Sequence, residues 1–301
     1  MFSVMTIQTF LASMLLGLEI SGIKIGSNPF ILLRDHPDFA NLPFIQMGDY
    51  LSKIKDGRGL NQLLQNYWMV IHPPTLFLGF AATAIPFAYA IGGLISGKVR
   101  EWVQPSLPWI YFGVMILGTG ILMGGAWAYE ALSFGGFWAW DPVENASLVP
   151  WLVLAAGIHT LMAYKHTGYS LHATYIFFIG LFLLVLYSSF LTKSGILGDA
   201  SVHSFTDLGM SGQLVFIILA FLIPSLYLLL DRIGWLNSLK KVAKIPLAFQ
   251  LTIPSKQEEE KLSSREFWLF IGSLIFIFSA VHIVVMTSFP VINKLFSTKI
   301  A

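Results

Sequence analysis

Runs of about 20 apolar residues recur along this chain, and they leave few options for its fold. They lie at about 2–20, 74–95, 107–126, 146–164, 172–192, 213–230 and 267–289. A run of that length crosses the roughly 30 Å hydrocarbon layer of a bilayer as a helix. Lipid offers no partner to an exposed backbone N–H or C=O, so a spanning segment must satisfy them itself. The expectation is an all-α, polytopic transmembrane bundle of about seven spans, with residues 1–301 forming a single integral membrane domain. Composition agrees: 55% of residues are hydrophobic and 11% charged, against about 25% charged in soluble domains. That excludes a soluble enzyme, a disordered chain and a nucleic-acid binder. Cysteine is absent, so the chain has no thiolate metal site, no Cys nucleophile and no disulfide of its own. No Lys or Arg precedes the first run, which therefore lacks the basic start of a cleaved signal peptide and reads as a retained span.

Loop charge sets the expected orientation. The connections 96–106, 165–171 and 231–266 are dense in cations, among them Lys98, Arg100, Lys165, Arg232, Lys240, Lys241 and Lys244. The connections 21–73, 127–145 and 193–212 are longer in total and poorer in Lys and Arg. The positive-inside rule then puts 231–266 in the cytoplasm as a linker, the N-terminus inside and the C-terminus outside. The segment 21–73 becomes the first periplasmic loop, and 193–212 another.

One outer segment is unusual. Residues 124–151 read GGAWAYEALSFGGFWAWDPVENASLVPW, with Trp127, Trp138, Trp140 and Trp151 around Asp141-Pro142-Val143-Glu144-Asn145. Gly135-Gly136 interrupts any helix. Asp141 and Pro142 then suit the N-cap and first position of a new helix, and Glu144 completes a capping-box pattern. An interfacial aromatic belt would explain scattered indoles without a ligand. Four of them in one short segment beside paired glycines equally suit a large, flat, apolar ligand such as a porphyrin. Asp141 and Glu144 fit capping better than acid–base chemistry.

The histidines divide by depth. His72 precedes Pro73-Pro74 at the outer mouth of the second span, and His203 lies in the loop 193–212. Both share the face of the tryptophan segment. Each could hydrogen-bond to loop backbone, or the two could supply both axial positions of a haem iron. His159 falls inside the fourth span, roughly 20 Å below its outer end, where an ionisable group is a functional candidate. His282 falls inside the seventh span beside Ser279 and suits a hydrogen bond between helices. His166 and His172 flank inner helix ends, and His36 carries no assigned role.

These residues resemble a known family. GGAWAYE…GGFWAWDPVENASLVPWL is similar to the WWD domain of the haem-handling proteins of cytochrome c maturation. The DPVENAS form followed by PWL resembles the CcmF/NrfE branch more than the CcsA/ResC branch. Ser27-Asn28-Pro29-Phe30, Gly59-Leu60-Asn61, Ile71-His72-Pro73-Pro74 and Ser201-Val202-His203-Ser204-Phe205 follow in the family's order. Ala126, Phe134 and Phe137 stand where the family often has Trp. The family is longer, so the resemblance implies one half of a split protein, a fragment or a shortened homologue; a split version would carry its remaining spans on a second chain.

The resemblance implies an inner (plasma) membrane protein, active on its periplasmic face and part of a cytochrome c haem lyase. Such a protein binds haem b as substrate and promotes its attachment to the CXXCH thiols of apocytochrome c. His72 and His203 would be the axial ligands of that haem, and Trp127, Trp138, Trp140 and Asp141 its platform. His159 would hold a second, redox-active haem b. The implied partners are apocytochrome c, a haem chaperone and thioredoxin-like maturation subunits. The alternative is a CcmC-like transporter that passes haem to a chaperone.

Overall fold

In the computed structural model the described residues are 1–36, 39–53, 56, 59–132, 136–198, 201, 209–237, 241 and 261–298. The order is α1 (Phe2–Ser13), a hairpin of β1 (Leu18–Ile20) and β2 (Ile23–Ile25), α2 (Tyr50–Lys53), α3 (Tyr67–Ser96) and α4 (Val103–Ala131). Then come α5 (Pro142–Thr167), α6 (Leu171–Lys193), α7 (Ser211–Arg232), α8 (Arg265–Thr287) and α9 (Phe289–Phe296). Short 3-10 turns occupy Leu33–Asp35 and Gln62–Leu64. Among the described residues six helices, α3 to α8, are long and apolar enough to cross a membrane, so the chain is a multi-pass membrane protein.

The run at 2–20 does not form a seventh such helix. Its helix has 12 residues, about 18 Å of rise against a layer of about 30 Å. Gly17 (φ +62°) ends the run, with its Cα facing the backbone of Asn28 so closely that a Cβ would lie 2.7 Å from the Asn28 nitrogen. Ser21 and Gly22, both at positive φ, then form the tight turn of an antiparallel hairpin that pairs Glu19 with Lys24, as two-residue hairpins require. The apolar residues Leu18 and Ile20 are thus strand, not helix.

The second span starts earlier than the Pro-Pro pair suggests. Asn66 caps α3 by accepting the Trp68 N–H at 2.8 Å, so His72, Pro73 and Pro74 lie inside the helix. The prolines bring no N–H to the carbonyls of Met69 and Val70. The helix survives this because α4 braces it. Gly79 meets the backbone of Leu117, and Gly120 meets that of Leu76. A Cβ at either glycine would sit 2.6 to 2.8 Å from the opposing Cα. Small residues at such crossings bring helix backbones together, a common way to join helices in lipid.

The centre is aromatic. Phe87 of α3 lies 4.5 Å from Phe182 of α6. Phe221 of α7 packs edge-on against both, and Phe10 of α1 reaches Phe221 at 5.3 Å. Near the opposite end from the hairpin, the hydroxyl of fully buried Tyr175 and the indole N–H of Trp102 both donate to the Val99 carbonyl. On α5, Trp151 donates to Val114 O of α4 at 2.9 Å.

The described residues of the connections 14–66, 132–141 and 194–210 and the end of α8 gather at one end of the bundle. The hydroxyl of Ser201 donates to Asp141 at 2.7 Å, and Tyr187 of α6 meets Ser288. At the same end Trp127 donates its indole N–H to Leu63 O at 3.0 Å. Glu130 accepts from the Asn66 amide and the Trp68 indole, each at 2.9 Å. The last turn of α4 thereby latches the start of α3.

Two outcomes check this frame. Glu144→Ala removes the side chain that accepts the N–H groups of Ala139 and Asp141 at 3.0 and 3.1 Å. It should cost about 1 kcal/mol, read as a lower thermal midpoint in detergent. Trp127→Phe should raise amide hydrogen exchange at Leu64 and Gln65 while leaving exchange in α5 and α6 unchanged, since it removes the indole N–H bond to Leu63 O.

Candidate functional site at the outer aromatic loop

Two adjacent glycines in α4 shape the site. Gly124 faces the imidazole of His72, where a Cβ would lie 2.6 Å from Cε1, and Gly125 faces the ring of Phe137. One helix turn therefore receives an imidazole from α3 and a phenyl ring from the loop after α4. Neither fits beside a side chain at those positions. His72 is half-buried, and its Nδ1 bonds the Gly120 carbonyl at 2.7 Å. That carbonyl needs a donor, so Nδ1 carries the proton and Nε2 is the ring's lone-pair nitrogen in that pairing.

The loop continues from Phe137 to Trp138 and Trp140, whose rings lie 6.2 Å apart and nearly perpendicular. Trp140 adopts a left-handed backbone (φ +59°), uncommon for a bulky residue. Its carbonyl accepts from the Asn145 amide at 2.9 Å, which holds that conformation and leaves the indole 62% exposed. Trp138 differs: its indole N–H is buried and has no hydrogen-bond partner. An orphaned buried donor is costly, and it calls for an acceptor that the described residues do not bring.

Asp141 and Glu144 form the capping box that the sequence suggests. The Asp141 carboxylate accepts from Val143 N at 2.8 Å and also from Ser201. Ser201 stands two residues before His203, so the cap of α5 tethers the start of that segment. His203 itself lies outside the described residues, as do Ser133, Phe134 and Gly135.

Of the other sequence candidates, Trp127 is buried and spends its N–H on Leu63, beneath the aromatic loop. His159 lies deep in α5, with Nδ1 on the Ala155 carbonyl at 2.7 Å and its ring 5.3 Å from Phe276 of α8. Its Cδ2–Nε2 edge abuts Gly272. A cavity of about 350 Å³ opens beside it, lined among others by Thr160, Tyr169, Glu266 and Ser273. No second imidazole lines that cavity among the described residues. No group of three or more His, Cys, Asp or Glu that could hold a metal ion occurs among the described residues.

Sequence reasoning did not single out the Asn66–Trp68–Glu130 latch or the division of labour between Gly124 and Gly125. The doubled glycine inside an apolar run was the available signal for the latter.

Known proteins share this architecture. The family model described as cytochrome C assembly protein matches residues 1–197. The cytochrome c-type biogenesis protein CcmF of Pseudomonas fluorescens is 34% identical over 271 residues, which cover 90% of this chain and 37% of that protein. CcmF of Escherichia coli strain K12 is 36% identical over 67% of this chain and 29% of its own length. The biogenesis protein NrfE of Haemophilus influenzae is 35% identical over 64% of this chain and 28% of its own. A solved structure titled cytochrome c heme lyase CcmF superposes with a TM-score of 0.56 at 26% identity, covering 81% of this chain and 35% of that one. The chain thus spans about a third of the length of the relatives it matches. With the aromatic loop, its capping box and the histidine of α3 in the matched region, the chain belongs to the cytochrome c assembly protein family, in its CcmF/NrfE-type branch of haem-handling proteins.

Proposed function

We propose that the outer aromatic loop binds haem as a substrate and presents it for covalent attachment to apocytochrome c. The single observation that carries this reading is the buried, unpartnered N–H of Trp138 within the same loop that packs beside His72. A porphyrin suits that surface. Its plane suits the exposed Trp140 face, a propionate oxygen accepts from Trp138, and its iron takes the Nε2 of His72. His203, in the segment tethered by Ser201, is the proposed second axial ligand. Trp138, Trp140 and the capping Asp141 form the platform and its support, while Trp127 holds the floor below.

In this reading the protein's own work is positional. His72 is pre-oriented by Gly120 O, so little freedom is lost when iron binds. The aromatic walls exclude water from one porphyrin face. The reaction joins the haem vinyl groups to the thiols of a CXXCH segment, and the thiols come from the partner, since this chain has no cysteine. The aromatic end of the bundle is proposed to face the periplasm from the inner membrane, with the cation-rich connections in the cytoplasm. The N-terminus would then be inside and the C-terminus outside. Apocytochrome c, a haem chaperone and thioredoxin-like maturation subunits are the proposed partners.

The test is haem content per purified protein, read as the Soret band. Gly124→Ala should displace His72 and strip most of the haem. Trp138→Phe should weaken haem binding about tenfold or more, the scale of a lost bond to a charged acceptor. Gly92→Ala, where a Cβ meets nothing within 4 Å, should leave the band unchanged. Folded Gly124→Ala protein with full haem content would overturn the proposal.

A further inference from the structure

A second cavity, of about 490 Å³, adjoins the aromatic loop on the side away from α3. It lies between the start of α5 and the outer half of α8, and its walls include Trp140, Asn145, Phe278, His282, Met286 and Thr287. Two of these residues are more than nine-tenths buried and carry an oxygen with no partner: Asn145 Oδ1 and Thr287 Oγ1. The orientation of Asn145 is fixed, because its amide nitrogen already serves the Trp140 carbonyl. Its free atom is therefore an acceptor. Thr287 can supply a donor. One acceptor and one donor are the complement of a single peptide unit, and an acyl chain has neither.

His282 lies on the same wall, five residues before Thr287 and so about 8 Å deeper along α8. Its imidazole is exposed to the cavity side rather than packed between helices. An ionisable group so placed in a span is a functional candidate. Among the described residues, no carboxylate, Lys or Arg lines this cavity. Asp141 and Glu144 of the neighbouring α5 end accept the capping N–H groups. Tyr187 of α6 bonds Ser288, and α9 adds Lys294 beyond the helix end.

We propose that this cavity receives a cysteine-bearing polypeptide segment, with His282 as the base that takes the thiol proton. This rests on the haem reading above, because Trp140 is the wall shared by the platform and the cavity. The step balances without an added oxidant or reductant. The S–H proton passes to the imidazole. The thiolate sulfur forms a C–S bond to the inner vinyl carbon as the vinyl π pair moves to the outer carbon. That carbon takes the proton back from the imidazolium. Asn145 Oδ1 and Thr287 Oγ1 hold one amide of the segment in register.

The experiment uses native membranes holding the protein with its maturation partners, assayed from pH 6 to 9 for haem content and thioether formation. His282→Ala should retain its haem, yet form thioether about 100-fold more slowly at pH 7, the scale of a lost general base. The deficit should shrink about tenfold by pH 9, where a thiol of pKa about 8.5 ionises unaided. Thr287→Val should raise the KM for the polypeptide and leave kcat unchanged. A normal rate in His282→Ala, or a deficit constant across pH, would overturn the inference while leaving the haem reading intact. Wild-type protein without haem would sink the haem reading itself, and the inference with it.

Discussion

The close crossing of α3 and α4 determines everything at the outer end. Its inner contacts, Gly79 on Leu117 and Gly120 on Leu76, bring two backbones together. One turn further out, the same geometry delivers His72 into the notch at Gly124. Without that approach, Gly120 O could not orient the imidazole. A helix carrying Pro73-Pro74 would also lack its brace, since two of its carbonyls receive no intrahelical N–H. The Glu130 latch to Asn66 and Trp68 closes the pair at the end where the histidine sits.

The aromatic loop is organised by different means. It has little regular structure, so its conformation depends on side chains that satisfy its backbone. Glu144 takes two N–H groups and the Asn145 amide takes the Trp140 carbonyl, all from the first turn of α5. The rigid helix start thus holds a left-handed Trp140 in place. Such strain is stored where surroundings over-determine it, and functional sites are where it recurs. Trp138 is left with a buried donor that no described residue meets, which is the mark of a surface shaped for an added acceptor.

Much of this was legible in the sequence. Apolar length gave α3 to α8 as helices, and Asp141-Pro142 with Glu144 gave the start of α5 and its capping box. The WWD-like motif gave the family. Other features were not legible, for physical reasons. Leu18 and Ile20 extend an apolar run, yet Gly17 and the Ser21-Gly22 turn make them strand, because local φ requirements override hydropathy. Pro73-Pro74 looked like a helix start, but the cap lies at Asn66 and tertiary bracing by α4 pays for the missing bonds. The bond from the Trp127 N–H to Leu63 O joins residues 64 apart in the chain, a pairing that only the fold defines. His159 lies within α5, and the approach of Gly272 to its Cδ2–Nε2 edge is a contact that only the packing of α8 defines.

The central claim is that the His72 imidazole, held at the Gly124 notch, ligates haem iron. His72→Gly leaves an imidazole-shaped gap in otherwise unchanged surroundings, so added imidazole can substitute for the missing ligand. The direct measurement is the Soret spectrum of purified His72→Gly protein with and without millimolar imidazole. The account predicts loss of the haem band and its return when imidazole is added. A His72→Gly spectrum identical to wild type, unaffected by imidazole, would contradict it.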